Sequence, residues 1–457
     1  MDGALSGIAL DRIPDDLHPV LQRFVAGGFE VWLVGGALRD SLLGLVPKDW
    51  DLATSASPEE VMRLFPRVIP IGVRHGTVQV HTRLRSIEVT SCPAGGREGI
   101  LADLKRRDFT VNALALSYPA GVLLDPFGGQ EDLLAGSLRA VEDAPSRFRE
   151  DALRTLRAGR FVSVYGFKIE PRTFVALEEA APGLQGVARE RIREELFKML
   201  LGKYFREGFE VLMRGHVIQE ILPEFSWVSE SEGLGLRCAA GVEHAVNTAH
   251  LSPSRIRVRL AALFHNLAEV GGPAVNQERC EGEVRDLESA RAAEKIMQRL
   301  RASQRLTRDV VSLVEQQVPE GVEAWSEGDV RRFLANVGLE RLADVLDLAC
   351  ADRMAQEDDA HGLMALLGLH MRVSQELKRS PPLRLQDLAI TGRDVMNALK
   401  IEPGPLVGEL LQSLHRQVLE NPGGNEPKSL MDFLRKEYNL KFNSSLKSEG
   451  KKQKQGG

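Results

Sequence analysis

Val31-Trp32-Leu33-Val34-Gly35-Gly36-Ala37-Leu38-Arg39-Asp40, with Asp49-Trp50-Asp51 ten positions beyond Arg39, decides the reading of this chain. Four apolar residues predict a buried strand, the glycine pair a tight turn, and the residues after it the start of a helix. Glycines there let the backbone approach a phosphate, while free N–H groups at the helix start and the Arg39 guanidinium can neutralise it. A Gly-Gly pair alone is more often a plain strand-to-helix turn. Asp49 and Asp51 change the balance. On a strand, residues i and i+2 face the same side, so the two carboxylates converge and repel. A hard, oxygen-seeking divalent cation relieves that repulsion, and in a nucleotide site Mg²⁺ is the expected choice. Two such ions can activate a hydroxyl and hold a leaving pyrophosphate.

Three further segments carry compatible chemistry. Glu88, inside Ile87-Glu88-Val89-Thr90, is a charge in an apolar strand: either an ordinary edge charge or a third carboxylate near the metals. Lys105-Arg106-Arg107-Asp108-Phe109-Thr110-Val111-Asn112 sets cations beside an apolar run, with Arg107 expected on a triphosphate and Asp108 and Asn112 around a sugar. Arg149-Glu150-Asp151-Ala152-Leu153-Arg154-Thr155-Leu156-Arg157-Ala158-Gly159-Arg160 predicts one helix with Asp151, Arg154, Arg157 and Arg160 on a broad face. A carboxylate accepting from an exocyclic amine beside a guanidinium donating to ring or carbonyl acceptors suits cytosine or adenine, not uracil or guanine. Such a pair selects CTP or ATP without a nucleic-acid template.

Outward from these segments, the organisation is uneven. Residues 1 to about 135 mix strand and helix signals: Thr77 to His81 alternates, and Ser57-Pro58-Glu59-Glu60 predicts an N-cap, a proline at the first helical position and a capping glutamate. Beyond about Leu138 strand signals largely vanish in favour of amphipathic helices rich in Leu, Ala, Arg and Glu. The chain of 457 residues carries 59 Lys and Arg against 64 Asp and Glu, a formal charge of −5, so it is no polycation. Residues 136–206 nonetheless hold 14 Lys and Arg against 10 Asp and Glu, a local excess of the kind a polyanion-binding surface needs. Residues 443–457 contain one apolar side chain and predict a disordered basic tail.

An apolar fraction of 43% with 27% charged residues excludes wholesale disorder. The longest uncharged stretch, Phe109 to Leu124, is broken by Asn112, Pro119 and Gly121 and is too short to span a bilayer. The acidic N-terminus lacks a basic region before an apolar run, so a cytoplasmic location is expected. Cys92, Cys238, Cys280 and Cys350 lie far apart without a CxxC pair, which argues for reduced thiols and against a thiolate zinc site.

Together the motifs resemble the class II tRNA nucleotidyltransferase and poly(A) polymerase family, whose members add CCA, part of CCA, or A residues to RNA 3′ ends. The resemblance runs through residues 30 to about 200. It rests on Gly35 to Asp40, Asp49-Trp50-Asp51, Arg106 to Ala113, Asp125-Pro126-Phe127-Gly128-Gly129 and Glu150 to Arg154, with Ala188 to Glu195 similar to the helix that follows in the family's neck. It implies an α+β head built on a five-stranded sheet, followed by all-α neck, body and tail regions that hold tRNA. The expected division is 1–137 catalytic head, 138–210 neck, 211–370 body, 371–442 tail and 443–457 disordered basic tail. It further implies that Asp49 and Asp51 bind metal, and that Gly36, Arg39, Arg107, Asp151, Arg154, Arg157 and Arg160 bind nucleotide. Gly35, Asp108 and Asn112 are expected beside them.

Two departures bear on specificity. Members that add the complete CCA resemble one another in a longer polar, arginine-containing flexible segment between the strand of Glu88 and the Arg-Arg-Asp-Phe motif. Here Ser91 to Leu104 is all that lies between. A similar shortening marks members that stop after two cytidines, so CC addition from CTP is expected, with complete CCA addition, A addition or poly(A) polymerisation as alternatives and a catalytically inactive RNA-binding protein as the alternative from a different class. Val242-Glu243-His244 and Leu263-Phe264-His265-Asn266-Leu267 faintly resemble metal-dependent phosphohydrolase motifs. Asn266 stands where an aspartate belongs, so His244 and His265 are expected to be packed helix residues without hydrolase activity.

Overall fold

The computed structural model describes residues 13–72, 76–92, 94–225, 234–270, 282–356 and 359–438. The tail expected at 443–457 lies outside them. The chain divides into two compact units, Met1–Glu230 with Gln298–Ala302, and Ser231–Met297 with Ser303–Gly457.

The first unit is built on one sheet. Its strands are β1 (Val31–Val34), β2 (Asp51–Thr54), β3 (Val68–Gly72), β4 (Thr77–His81), β5 (Ser86–Ser91), β6 (Ala115–Tyr118) and β7 (Leu123–Leu124), in the order β3-β4-β5-β2-β1-β6-β7. Only β2 and β5 run parallel; the other neighbours are antiparallel. The sheet therefore has seven strands rather than five. The additional elements lie at its edges, where sequence signals are weakest. Strand β3 contains Pro70 beside a register shift, which an edge strand tolerates because half its N–H groups need no partner. Strand β7 is two residues long.

All four residues of β1 are buried, as expected of a central strand covered on both faces. The alternation seen in Thr77 to His81 is the burial pattern of β4, with Val78 and Val80 inward. The helices of this first half are α1 (His18–Ala26), α2 (Gly36–Leu42), α3 (Pro58–Leu64) and α4 (Gly96–Lys105). The predicted capping box forms at α3, where Ser57 Oγ accepts from Glu60 N and the Glu60 carboxylate from Ser57 N. Ile100 and Leu104 of α4 pack with Trp32, Val34 and Ala53, closing a core on one face of the sheet.

Helices α5 (Gly129–Ala135), α6 (Ala144–Glu150), α7 (Leu153–Tyr165), α8 (Pro171–Ala180), α9 (Arg189–Leu200), α10 (Phe205–Arg214) and α11 (Val217–Ile221) complete the unit. A two-residue parallel pair, β8 (Ser137–Leu138) with β9 (Lys168–Ile169), interrupts this otherwise helical stretch. Residues 149–160 are not one helix. Helix α6 ends at Glu150, Asp151 is extended at φ −151°, and its carboxylate accepts from Leu153 N as α7 begins. Aspartate satisfies a free helix N–H better than it continues a helix.

The second unit is helical, from α12 (Leu234–Leu251), α13 (Ile256–Phe264), α14 (Leu267–Val270), α15 (Gly282–Arg299, whose last two residues belong to the first unit), α16 (Gln304–Glu315), α17 (Glu327–Val337), α18 (Leu342–Ala355) and α19 (Ala360–Lys378) to α20 (Gly392–Leu399) and α21 (Pro405–Glu420). Helices α12, α13 and α18 pack on one another. A separate core gathers Val395, Leu410, Leu414, Val418, Leu430 and Leu434. No helix among the described residues is long and apolar enough to cross a membrane. Cys92 and Cys350 are free thiols, and burial pushes the Cys92 thiol up to about 11.

Candidate active site

Charge gathers where β1 ends and β2 begins. Gly35 follows β1 at φ 73°, and a Cβ built on it would lie 2.5 Å from Arg107 Nη1 and 3.9 Å from Asp51 Oδ2. Both the left-handed backbone and the close approach call for glycine. Trp50, 3% exposed, anchors the chain in the core, leaving Asp49 exposed and Asp51 partly buried on either side of it. Strand β2 begins at Asp51, so Asp49 lies just ahead of the strand rather than within it. The parallel register sets Asp51 directly opposite Glu88 on β5. The edge charge of the sequence thus shares a sheet position with the aspartate pair, a juxtaposition that periodicity cannot reveal.

The electrostatics follow from this crowding. Burial, Glu88 and Asp49 push the Asp51 carboxyl up to about 6 against the pull of Arg107. Three acidic side chains facing one cation form an oxygen-rich, electron-dense corner, a donor set suited to a hard divalent ion. Their oxygens are not all drawn within 4.8 Å of one another; among the described residues only His244, His265 and Asp352 are so grouped. Arg107 is steadied from behind by Asp103 of α4, which accepts from its Nε at 3.1 Å and its Nη2 at 2.9 Å.

A second network starts on the other side of the glycine turn. Arg39 is 7% exposed; a Cβ on Gly36 would lie 3.3 Å from its Nη2. Its guanidinium donates to Asp40, to Asn112 Oδ1 at 2.6 Å and to the Tyr165 hydroxyl, and lies over the Tyr165 ring at 4.5 Å. Asn112 in turn donates to Asp108 at 2.8 Å. Asp108 accepts from Phe109 N and from Arg157 Nε, both at 2.8 Å. Burial opposes its charge, yet Arg157, Asn112 and the Phe109 N–H together hold the carboxyl well below the usual carboxylate range. Arg157 and Arg160 both meet buried Glu195 of α9, at 3.6 and 3.0 Å. Asp108 and Asn112 are thus inside the protein, tying Arg39 of α2 to Arg157 of α7.

The third group is Asp151 and Arg154. Arg191 of α9 donates to Asp151 Oδ2 at 2.8 Å. Arg154 donates to the carbonyls of Arg147 and Arg106, both at 2.9 Å, and to Glu150 at 3.3 Å. The bond to Arg106 seats Arg154 beside the backbone that presents Arg107. In the Asp125-Pro126-Phe127-Gly128-Gly129 motif, Asp125 accepts from Gly129 N at 2.7 Å and Gln130 N at 2.9 Å, and Gly129 lies against the Thr110 carbonyl. The structure therefore joins Gly35, Asp51, Glu88 and Arg107 in one corner, and Gly36, Arg39, Asn112, Asp108, Arg157 and Arg160 in a continuous network. Arg154 reaches the backbone next to Arg107, and Asp151 is held by Arg191.

Sequence reasoning did not single out Tyr165, Asp103, Arg191 or Glu195, the residues that hold these functional candidates in place. Asp103 stands four before Arg107 at the end of a helical run, a spacing that could have been read. Tyr165 could not, because its partner Arg39 is 126 residues away.

Comparison with known proteins gives matches over most of the chain. The Poly A polymerase head domain family matches residues 31–139, the probable RNA and SrmB-binding site of polymerase A matches 166–228, and tRNA nucleotidyltransferase domain 2 matches 286–434. The CCA-adding enzyme of Leuconostoc mesenteroides subsp. mesenteroides is 30% identical over 93% of this chain and 96% of its own length. That of Lactococcus lactis subsp. cremoris is 29% identical over 94% and 99%. Among solved structures, the Bacillus stearothermophilus CCA-adding enzyme in complex with CTP aligns with a TM-score of 0.73 at 28% identity, covering 94% of this chain and all of that one. Fold and site together define a nucleotidyltransferase. The chain belongs to the tRNA nucleotidyltransferase and poly(A) polymerase family, alongside the CCA-adding enzymes.

Proposed function

We propose that this nucleotidyltransferase extends the 3′ end of tRNA with cytidines from CTP in the cytoplasm. The observation that carries this is the corner itself: Asp51 opposite Glu88, Asp49 beside it, and Arg107 over Gly35. A divalent cation fits there, since burial and then the neighbouring carboxylates of Glu88 and Asp49 disfavour the charge on Asp51. Asp49 and Asp51, with Glu88 adjacent, would hold Mg²⁺, which lowers the cost of ionising the RNA 3′-hydroxyl and of charge on the departing pyrophosphate. Arg107, fixed by Asp103, neutralises the triphosphate. Arg39 sits under the glycine turn and sets its position through Asn112 and Tyr165. Asp151 and Arg154 read the base edge, Asp151 as acceptor and Arg154 as donor, while Arg157 and Arg160 hold that helix against Glu195. Catalysis on this account comes from alignment and charge neutralisation.

On this reading residues 1–137 are the catalytic head and 138–210 the base-reading neck, with 211–370 and 371–442 holding RNA. CC addition is supported by the segment after Glu88: α4 occupies Gly96–Lys105, so only the residues between β5 and Gly96 stand in place of the longer flexible segment of the complete CCA-adding members. The competing reading is complete CCA addition, favoured by the names of the relatives above. Incubating the protein with tRNA lacking CCA and with CTP alone, ATP alone or both separates them. Two cytidines and no adenosine are expected; a terminal A after CC makes it a complete CCA-adding enzyme, and no incorporation removes the proposal. Asp49→Ala is expected to abolish incorporation while tRNA binding persists.

A further inference from the structure

The second unit carries a cluster that the nucleotidyl-transfer reading does not use. His244 of α12, His265 just after α13, and Asp352 of α18 point together. His244 Nε2 lies 2.8 Å from Asp352 Oδ1 and 3.2 Å from His265 Nε2, and His265 Nε2 lies 3.1 Å from the same carboxylate oxygen. The histidines are therefore more than packed helix residues, and the carboxylate they share comes from a helix with no sequence motif to announce it.

The protons are the difficulty. His265 Nδ1 lies 2.7 Å from the Ala262 carbonyl, which only accepts, so Nδ1 carries a hydrogen. In a neutral ring Nε2 then presents a lone pair to a carboxylate oxygen and to a second imidazole nitrogen. His244 can donate an Nε2–H to Asp352, but the His265 Nε2 lone pair still faces the carboxylate oxygen at 3.1 Å, and that contact repels unless a cation lies between them. A histidine that donates one ring N–H to a backbone carbonyl while directing the other nitrogen inward has the arrangement typical of a metal ligand. Bonds of about 2.1 Å to a tetrahedral ion put ligand atoms roughly 3.4 Å apart. From 3.2, 3.1 and 2.8 Å, the three separations need to open by roughly 0.2 to 0.6 Å.

We propose that His244, His265 and Asp352 bind one divalent transition-metal ion of the zinc class through two imidazole nitrogens and one carboxylate oxygen, leaving a coordination position for water. Two nitrogens and one oxygen suit Zn²⁺ or Co²⁺; Mg²⁺ prefers an oxygen octahedron. His265 is 5% exposed, whereas His244 and Asp352 are about a fifth exposed, so the ion can enter from solvent. The site takes one ion, because Asn266 supplies no second carboxylate: its amide donates to the Gly241 carbonyl at 3.0 Å. Its buried Oδ1 has no hydrogen-bond partner among the described residues, an acceptor that metal-bound water could satisfy.

The test uses full-length Asp49→Ala/Asp51→Ala protein, so that the head aspartates cannot contribute. After chelator treatment and dialysis it is titrated with Zn²⁺ by calorimetry and with Co²⁺ by visible absorption. One ion per chain and a Co²⁺ ligand-field spectrum are expected, with affinity at least about tenfold weaker when Asp352→Asn is added. If circular dichroism shows that Asp352→Asn disturbs the fold, His244→Gln at a partly exposed position provides the same comparison. Absence of stoichiometric binding overturns the proposal and assigns the cation to a second imidazole proton. Affinity unchanged by either substitution overturns it as well. Neither readout depends on nucleotide addition, so the outcome is independent of the transferase assay.

Discussion

Replacing Asp51 by asparagine should stabilise the metal-free protein near neutral pH. Asp51 loses its proton at about 6 in the folded chain, pushed there by burial and by Glu88 and Asp49. In the unfolded chain an aspartate does so at about 3.9. Between these values the folded state keeps a proton that the unfolded state has released, so stability falls as pH rises from about 4 to about 6 and stays reduced above that. Two units at about 1.36 kcal/mol each bound the penalty at roughly 3 kcal/mol. Solvent screening of a partly exposed carboxylate lowers this to about 1–2 kcal/mol. Asparagine keeps the shape without the charge. In a unit of this size each kcal/mol moves the midpoint by about 2–4 °C, so thermal melts in chelator at about pH 7.5 should show the variant about 2–8 °C above the parent. The gap should narrow towards pH 4, where Asp51 is protonated in the folded chain and about half protonated in the unfolded one, and should close below about pH 3, where it is protonated in both. Added Mg²⁺ should raise the parent's midpoint and leave the variant's unchanged. A variant melting at or below the parent at neutral pH, or an equal gap at both pH values, refutes the idea that carboxylate crowding strains this corner.

Other expectations follow from the same contacts. Asp108→Asn should cost about 2–4 kcal/mol in urea unfolding, because it strips a buried partner from Arg157, and a cycle with Arg157→Gln should give a coupling of at least about 1 kcal/mol. With its carboxyl held below the usual range, Asp108's contribution is complete above about pH 4 and is lost as pH falls further; a flat acid limb in the variant alone is the sign to seek. Gly129→Ala would place a methyl closer than 3.0 Å to the backbone carbonyl of Thr110, which cannot swing aside as a side chain can, and should destabilise by about 1–3 kcal/mol in the same assay. Ser57→Ala removes the α3 cap and should cost about 1 kcal/mol while leaving nucleotide addition at the parent's rate.

Local chemistry made much of this protein legible in its sequence. The buried β1, the glycine turn, the α3 capping box and the shift from mixed to helical structure near Leu138 each depend on neighbours a few residues apart. Periodicity and capping report such neighbours directly. The carboxylate pair at Asp49 and Asp51 was readable for the same reason. What tertiary structure alone decided depends on pairings across long sequence separations. The parallel register set Glu88 against Asp51, folding brought Tyr165 to Arg39 and Arg191 to Asp151, and packing of α12, α13 and α18 gathered His244, His265 and Asp352. Edge strands β3 and β7 belong with these, since a proline-containing or two-residue segment has too little intrinsic preference to declare itself before a neighbouring strand supplies its hydrogen bonds.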